Sequence, residues 1–346
     1  MRLIPLAVGA ASLVTGLWSG LARLGLELPG GMPAVAEFHG ALMVSGFLGT
    51  LISLERAVAI GRWWAYAAPA IAAVGAVLLI AGAPAVAAIA FLIAGLALAF
   101  NSIIVVARQF ALFTVVLGVA ALCWIGGTLT WIGGAAPAAV TGWWLAFLIL
   151  TIAAERLELS RLRSPPRSSQ LTFAVATLII IIGAARGEYA ADLAPFSGVG
   201  LLFATAWLVR HDIALRTIRF SGQARFSAAC LLSGYVWLGV AGLLLLVAPP
   251  GTSAFTYDAA IHAITIGFVL SMIFGHAPII LPAVTGARIR YSAAAYAPLA
   301  VLHGSVLLRV AADLTGHVDI RALSGPVTIL AFAGYAVTLL IVSRRK

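Results

Sequence analysis

Four histidines lie inside long apolar stretches of this 346-residue chain: His39, His262, His276 and His303. An ionisable side chain in such surroundings is expensive to keep, so each is a candidate for chemistry. His211 and His317 fall between apolar stretches and read as ordinary. No Asp or Glu falls in the middle third of an apolar stretch, and no Lys precedes Lys346. That pattern disfavours an acidic proton relay or a carboxylate ion site. Spacing sorts the four imidazoles. His262 and His276 are 14 residues apart, close to four helical turns. They would share one helix face about 21 Å apart, too far for a single metal ion. His39 and His262 lie at matching depth, about 6–8 Å from the outer ends of their helices. His303 enters from the other side and sits nearer the depth of His276. Two layers result: an outer pair, His39 with His262, and an inner pair, His276 with His303. Imidazoles at one depth on two helices are how a bundle holds haem.

The neighbours of these histidines admit two accounts. Gly40, Gly46, Gly49, Gly267 and Gly275 would leave room for a macrocycle, and they would equally let helices pack closely. Met43 follows His39 by four residues and Met272 precedes His276 by four, so each shares a helix face with an imidazole. Thioether with imidazole suits copper(I), whereas only four Met and two Cys in the chain favour Met as a gap-filler. Glu37 near His39, and Asp258 one turn before His262, would either orient imidazoles or cap helix ends. Cys123 and Cys230 form no CxxCH motif, so any haem would be b-type and non-covalent. The outer pair calls for one haem. The inner pair would hold a second haem or a copper ion.

The elements that position these residues follow from composition. The chain is 63% hydrophobic and 9% charged, with mean hydropathy +1.11. Soluble domains run near about 45–50% apolar and about 25% charged, so an aqueous fold is excluded and the lipid bilayer is the implied solvent. Unbroken runs rich in Leu, Ala and Gly exclude an alternating membrane barrel. The expectation is an all-α, polytopic integral membrane protein in a single domain, 1–346. Its twelve spans fall near 4–22, 35–54, 64–83, 87–107, 110–132, 137–155, 170–186, 194–210, 226–248, 257–284, 291–312 and 323–343. Breaks such as Leu28-Pro29-Gly30-Gly31, Ala83-Pro84 and Pro249-Pro250-Gly251 separate them. The run from Leu3 to Leu21 lacks a small-residue cleavage site and reads as a span.

The net charge of +10 would suit a nucleic-acid partner if it were clustered. Instead the basic residues sit between spans. With the N-terminus inside, all of the 21 Lys and Arg except Arg23, Arg186, Arg309 and Arg321 fall in inner segments. This bias predicts both termini in the cytoplasm of a bacterial inner membrane and no nucleic acid. A weak repeat also appears. Glu55-Arg56 closes span two, Glu155-Arg156 closes span six, and Gly275-His276-Ala277-Pro278 occupies the next such position. It would divide the chain into three four-helix units, 1–108, 109–225 and 226–346.

The stretch His262-Ala263-Ile264-Thr265-Ile266-Gly267, then Gly275-His276, then Leu307-Leu308-Arg309-Val310-Ala311-Ala312, resembles the carboxy-terminal part of NnrS-type proteins. Phe38-His39-Gly40 is compatible with that family's early histidine helix. The resemblance covers about a third of the chain by motif and the rest by span count. It implies a haem- and copper-containing bacterial membrane protein linked to nitric oxide stress and denitrification, with Arg309 supporting the ligand set. A more distant likeness is to the catalytic subunit of haem–copper oxidases and nitric oxide reductases. That fold has twelve spans and holds its low-spin haem through His on spans two and ten, the places of His39 and His262. This chain departs from it at Ala260, where that family has a second histidine, and in spans six and seven, which contain no His. A dinuclear oxygen- or NO-reducing centre is therefore not expected.

The leading reading is a haem-binding membrane protein of NnrS type, in nitric oxide or respiratory redox chemistry. Nitric oxide or another small gas and a redox partner protein would be its partners. Turnover, electron transfer and simple ligand binding are all compatible with these residues. One alternative is a small-solute transporter or permease, which suits the kinked Ala277-Pro278-Ile279-Ile280-Leu281-Pro282 but not the shortage of intramembrane charge. Another is a structural or assembly subunit whose histidines only hydrogen-bond.

Overall fold

The computed structural model describes the chain apart from residues 1, 29–32, 136, 162–165, 186–193, 250–251, 253–254 and 345–346. The described residues are helical and contain no strand. Among the described residues twelve helices are long: α1 Leu3–Arg23, α2 His39–Ile60, α3 Trp63–Ile80, α4 Pro84–Arg108, α5 Leu112–Ile132 and α6 Pro137–Ser160. They continue as α7 Arg167–Ala185, α8 Ala194–His211, α9 Gly222–Val247, α10 Thr256–Thr285, α11 Ala293–Thr315 and α12 Val318–Arg344. All but α8 are long and apolar enough to cross a bilayer. The all-α, multi-pass fold expected from the sequence is the fold of this protein.

Helix ends differ from the expected spans where polar residues extend a helix beyond its apolar stretch. α2 begins at His39 after a single turn, Pro33–Ala36, and runs on through Glu55 and Arg56. It stops at Gly61, whose φ of 68° puts it in the left-handed region that glycine adopts without a Cβ penalty. α12 starts at Val318, which brings Arg321 into its first turn. Arg163, Arg186, Arg345 and Lys346, and most of the breaks at 28–31 and 249–251, lie outside the described residues.

The chain forms two compact units, Met1–Leu148 with Ala283–Thr285, and Ile149–Pro282 with Gly286–Lys346. In the first, α1 packs on α2 and α3, α3 on α4, and α4 on α5. The buried face of α1 is small: Gly9, Ser12, Gly16 and Ser19 recur every three or four residues and let α2 approach closely. Trp124 fills the centre, stacked on Phe147 at 5.3 Å, with its indole N–H donating to Ser45 Oγ at 2.9 Å. In the second unit α7 packs on α8, α8 on α9, α9 on α10, α10 on α11 and α11 on α12.

α2 and α10 share a local departure. Each widens into eight residues of π-helix, Leu42–Gly49 and Ala263–Leu270, whose positions differ by 221. Gly46-Phe47 and Gly267-Phe268 occupy the same places in the two segments. In each unit a Trp ring lies against a glycine of the π segment, Trp124 on Gly49 and Trp237 on Gly267. Runs of π-helix are rare and concentrate near functional sites.

α10 also contains Pro278 and Pro282. Proline at 278 has no N–H to give the carbonyl four residues earlier. That carbonyl, of Phe274, instead accepts from the Tyr335 hydroxyl of α12 at 2.5 Å, and the two rings stack at 4.1 Å. The break in α10 is thus filled by a side chain from its neighbour.

Candidate functional site

In the second unit α10 passes three polar groupings along its length. The first is at its start. Asp258 takes Arg309 of α11 at 2.5 Å and 2.7 Å from two guanidinium nitrogens, and Arg321 of α12 at 3.2 Å. Asp313 of α11 accepts from Arg321 Nε at 2.9 Å and lies 3.4 Å from Arg309 Nε. Arg321 stands 4.4 Å over the Phe255 ring, a cation–π contact. Two carboxylates and two guanidinium groups cancel. That balance makes burial tolerable: Asp313 is 1% and Arg309 6% exposed.

His262 stands one turn along from Asp258. Its Nδ1 lies 2.9 Å from the Asp258 carbonyl and 3.2 Å from the carboxylate. Both groups accept, so Nδ1 carries a proton, and Nε2 is the ring nitrogen opposite them. A carboxylate behind an imidazole fixes the ring and raises the basicity of the opposite nitrogen, which is the arrangement behind most ligating histidines. The imidazole is partly exposed, at 18% of its side-chain surface.

The second grouping is midway. Trp237 of α9 donates to His303 Nδ1 at 3.0 Å, and His303 Nε2 faces Ser271 Oγ at 3.5 Å. The third is near the far end of α10. His276 Nδ1 donates to the Met272 carbonyl at 2.7 Å, and its Nε2 accepts from Arg156 of α6 at 3.1 Å. Arg156 lies 3.9 Å from Asp212, whose carboxylate also takes the Tyr235 hydroxyl at 2.7 Å.

His276 and His303 belong to separate groupings, and both nitrogens of His276 are engaged by protein groups, so His276 does not fit an iron or copper ligand as it stands. Asp258 lies against His262, which gives the orienting role its geometry. Arg309 and Arg321 lie within α11 and α12, where both pair with half-buried Asp258 and buried Asp313. In the first unit, His39 Nδ1 lies 2.6 Å from the Gly16 carbonyl of α1. Met43 sulfur packs against the same Gly16, and the Met272 methyl packs against Gly234 of α9. Both methionines therefore have packing roles. Glu37 is exposed in the turn before α2. Among the described residues no three His, Cys, Asp or Glu converge on a metal position.

Sequence reasoning missed Asp313, Arg321, Trp237, Arg156, Asp212 and Tyr235 as site residues. One signal was present: Asp258 to His262 and Arg309 to Asp313 each repeat at four residues, one helical turn. Opposite charges near the ends of three successive spans could have been paired on that basis.

A family model described as a domain of unknown function, DUF8744, matches residues 2–344. No curated protein and no solved structure matches the chain.

Proposed function

The chain belongs to that DUF8744 family, whose description assigns no activity, and we propose from its own residues that it is a haem-binding membrane protein of NnrS type. The observation that carries the reading is His262, whose Nδ1 is held by Asp258, with Nε2 on the opposite side of the ring from that carboxylate. If haem were bound, that nitrogen would hold its iron. Haem would supply a site for nitric oxide or another small gas, or for one electron. The chain's own part is to orient the imidazole, with Nδ1 toward Asp258. Asp258 does this, and Arg309 and Arg321 keep Asp258 in place. His39 is likewise held through Nδ1, by Gly16, and is the candidate ligand of the first unit. The distribution of Arg further supports a bacterial inner-membrane location with both ends of the chain in the cytoplasm.

The test is spectroscopic. Protein purified from haem-replete cells should show a b-type spectrum, with haem content set by the pyridine haemochrome. His262→Ala should lose most of that haem, and Asp258→Asn should weaken haem retention about 10–100-fold. His39→Ala separates the two histidines, since an unchanged spectrum would remove it from the ligand set. Wild-type protein without haem, or His262→Ala with full haem and an unaltered spectrum, would overturn the reading.

A further inference from the structure

On the face of the second unit where α8 ends, three arginines surround one groove. Its volume is about 710 Å³, and it is lined by Ala206, Val209, Arg210, Leu215, Arg216 and Arg219. That size lies within the roughly 300–1,000 Å³ usual for small-ligand sites. One wall is a single face of α8, because Ala206, Val209 and Arg210 are three and four residues apart. The other wall comes from the connection after α8, where Ala214–Thr217 forms one helical turn. None of the six lining residues is acidic.

The second wall is anchored before any ligand arrives. Asp212 Oδ1 accepts from the Ala214 N–H at 2.6 Å, and Oδ2 from the Tyr235 hydroxyl at 2.7 Å. Asp212, Ala214 and Tyr235 are buried, while Arg216 and Arg219 project from the anchored turn into solvent. The same walls expose apolar surface: Val209 is 40% and Leu215 42% exposed. A groove with three cations and an apolar floor is matched by a ligand with one anionic end and one greasy end.

We propose that this groove binds an anionic phospholipid from the leaflet in which α8 ends. Its phosphate sits between Arg216 and Arg219, where planar guanidinium groups can donate in pairs to phosphate oxygens, and beside Arg210. Its glycerol backbone and first methylenes lie along Ala206, Val209 and Leu215. A free phosphate ion would use the arginines but leave the apolar wall wet. A basic pocket between membrane helices is the usual receptor for such headgroups.

The experiment measures lipid retained on full-length protein extracted from nanodiscs of phosphatidylcholine with phosphatidylglycerol, read by native mass spectrometry. Wild-type protein should keep phosphatidylglycerol over phosphatidylcholine. Arg216→Gln with Arg219→Gln should lower the retained phosphatidylglycerol at least 10-fold. Leu215→Asp should do the same by placing a carboxylate in the groove. Arg62→Gln with Arg108→Gln removes two exposed arginines of the first unit and should leave retention unchanged. Equal retention of the two lipids, equal loss in the Arg62/Arg108 variant, or full retention in the Arg216/Arg219 variant would each overturn the assignment. So would displacement of the lipid by millimolar inorganic phosphate, because the apolar wall would then contribute nothing.

Discussion

Arg309 ties Asp258 to Asp313 and, through Ser324 Oγ at 3.4 Å, α11 to α12. Its removal leaves buried Asp313 and half-buried Asp258 sharing Arg321 alone. Breaking such a buried pair costs about 3–5 kcal/mol, because the charge left behind is uncompensated. Arg309→Ala should therefore lower unfolding stability in detergent by about that amount. Arg309→Lys keeps the charge but loses the fork that spans two partners, so it should fall between wild type and Ala. An Arg309→Ala protein within about 1 kcal/mol of wild type would show that the network contributes little. The histidines themselves were legible as candidates, since an imidazole inside apolar sequence stands out. Their partners were not. Arg309 is 51 residues from Asp258 and Arg156 is 120 from His276, separations that no local spacing rule can join.

α10 shows what a helix needs when its own backbone cannot complete it. Pro278 leaves the Phe274 carbonyl without an in-helix donor, and Tyr335 of α12 supplies one. Tyr335→Phe should cost about 1–3 kcal/mol, the penalty of an unsatisfied buried carbonyl. Pro278→Ala restores an N–H at that place. In a Pro278→Ala background, therefore, Tyr335→Phe should cost much less, and the double-mutant cycle measures the difference. Equal cost in both backgrounds would mean that the hydroxyl is not replacing the missing donor. The order of the long apolar helices, α8 excepted, was readable from the sequence because lipid demands unbroken apolar runs. The π segments at Leu42–Gly49 and Ala263–Leu270 were not. An extra residue in one turn leaves hydropathy unchanged and disturbs helical periodicity too briefly to register. Helix ends were misjudged where Glu55, Arg56 and Arg321 continue helices past the apolar stretch, since a window of hydropathy stops at the first charge.

At the scale of the molecule, the proposed orientation puts the turns holding Arg62 and Arg288 in the cytoplasm and the turn at Gly82 outside. Both natural cysteines, Cys123 and Cys230, are buried, so single cysteines introduced at these three turns can be labelled selectively. A membrane-impermeant maleimide added to intact spheroplasts should reach Gly82→Cys and spare Arg62→Cys and Arg288→Cys. The reverse pattern would invert the topology. Orientation of this kind exposes the ion-paired grouping at the start of α10 to an electric field whenever the membrane is energised. A membrane potential does work of about 2.3 kcal/mol per elementary charge per 100 mV on a charge that crosses the whole field. Asp258, Asp313, Arg309 and Arg321 carry no net charge together, so voltage exerts no net pull on the group as a whole. A neutral residue in place of either arginine would make the site a net anion and its stability voltage-dependent. Charge balance thus lets one end of α10 hold four ions while staying electrically silent.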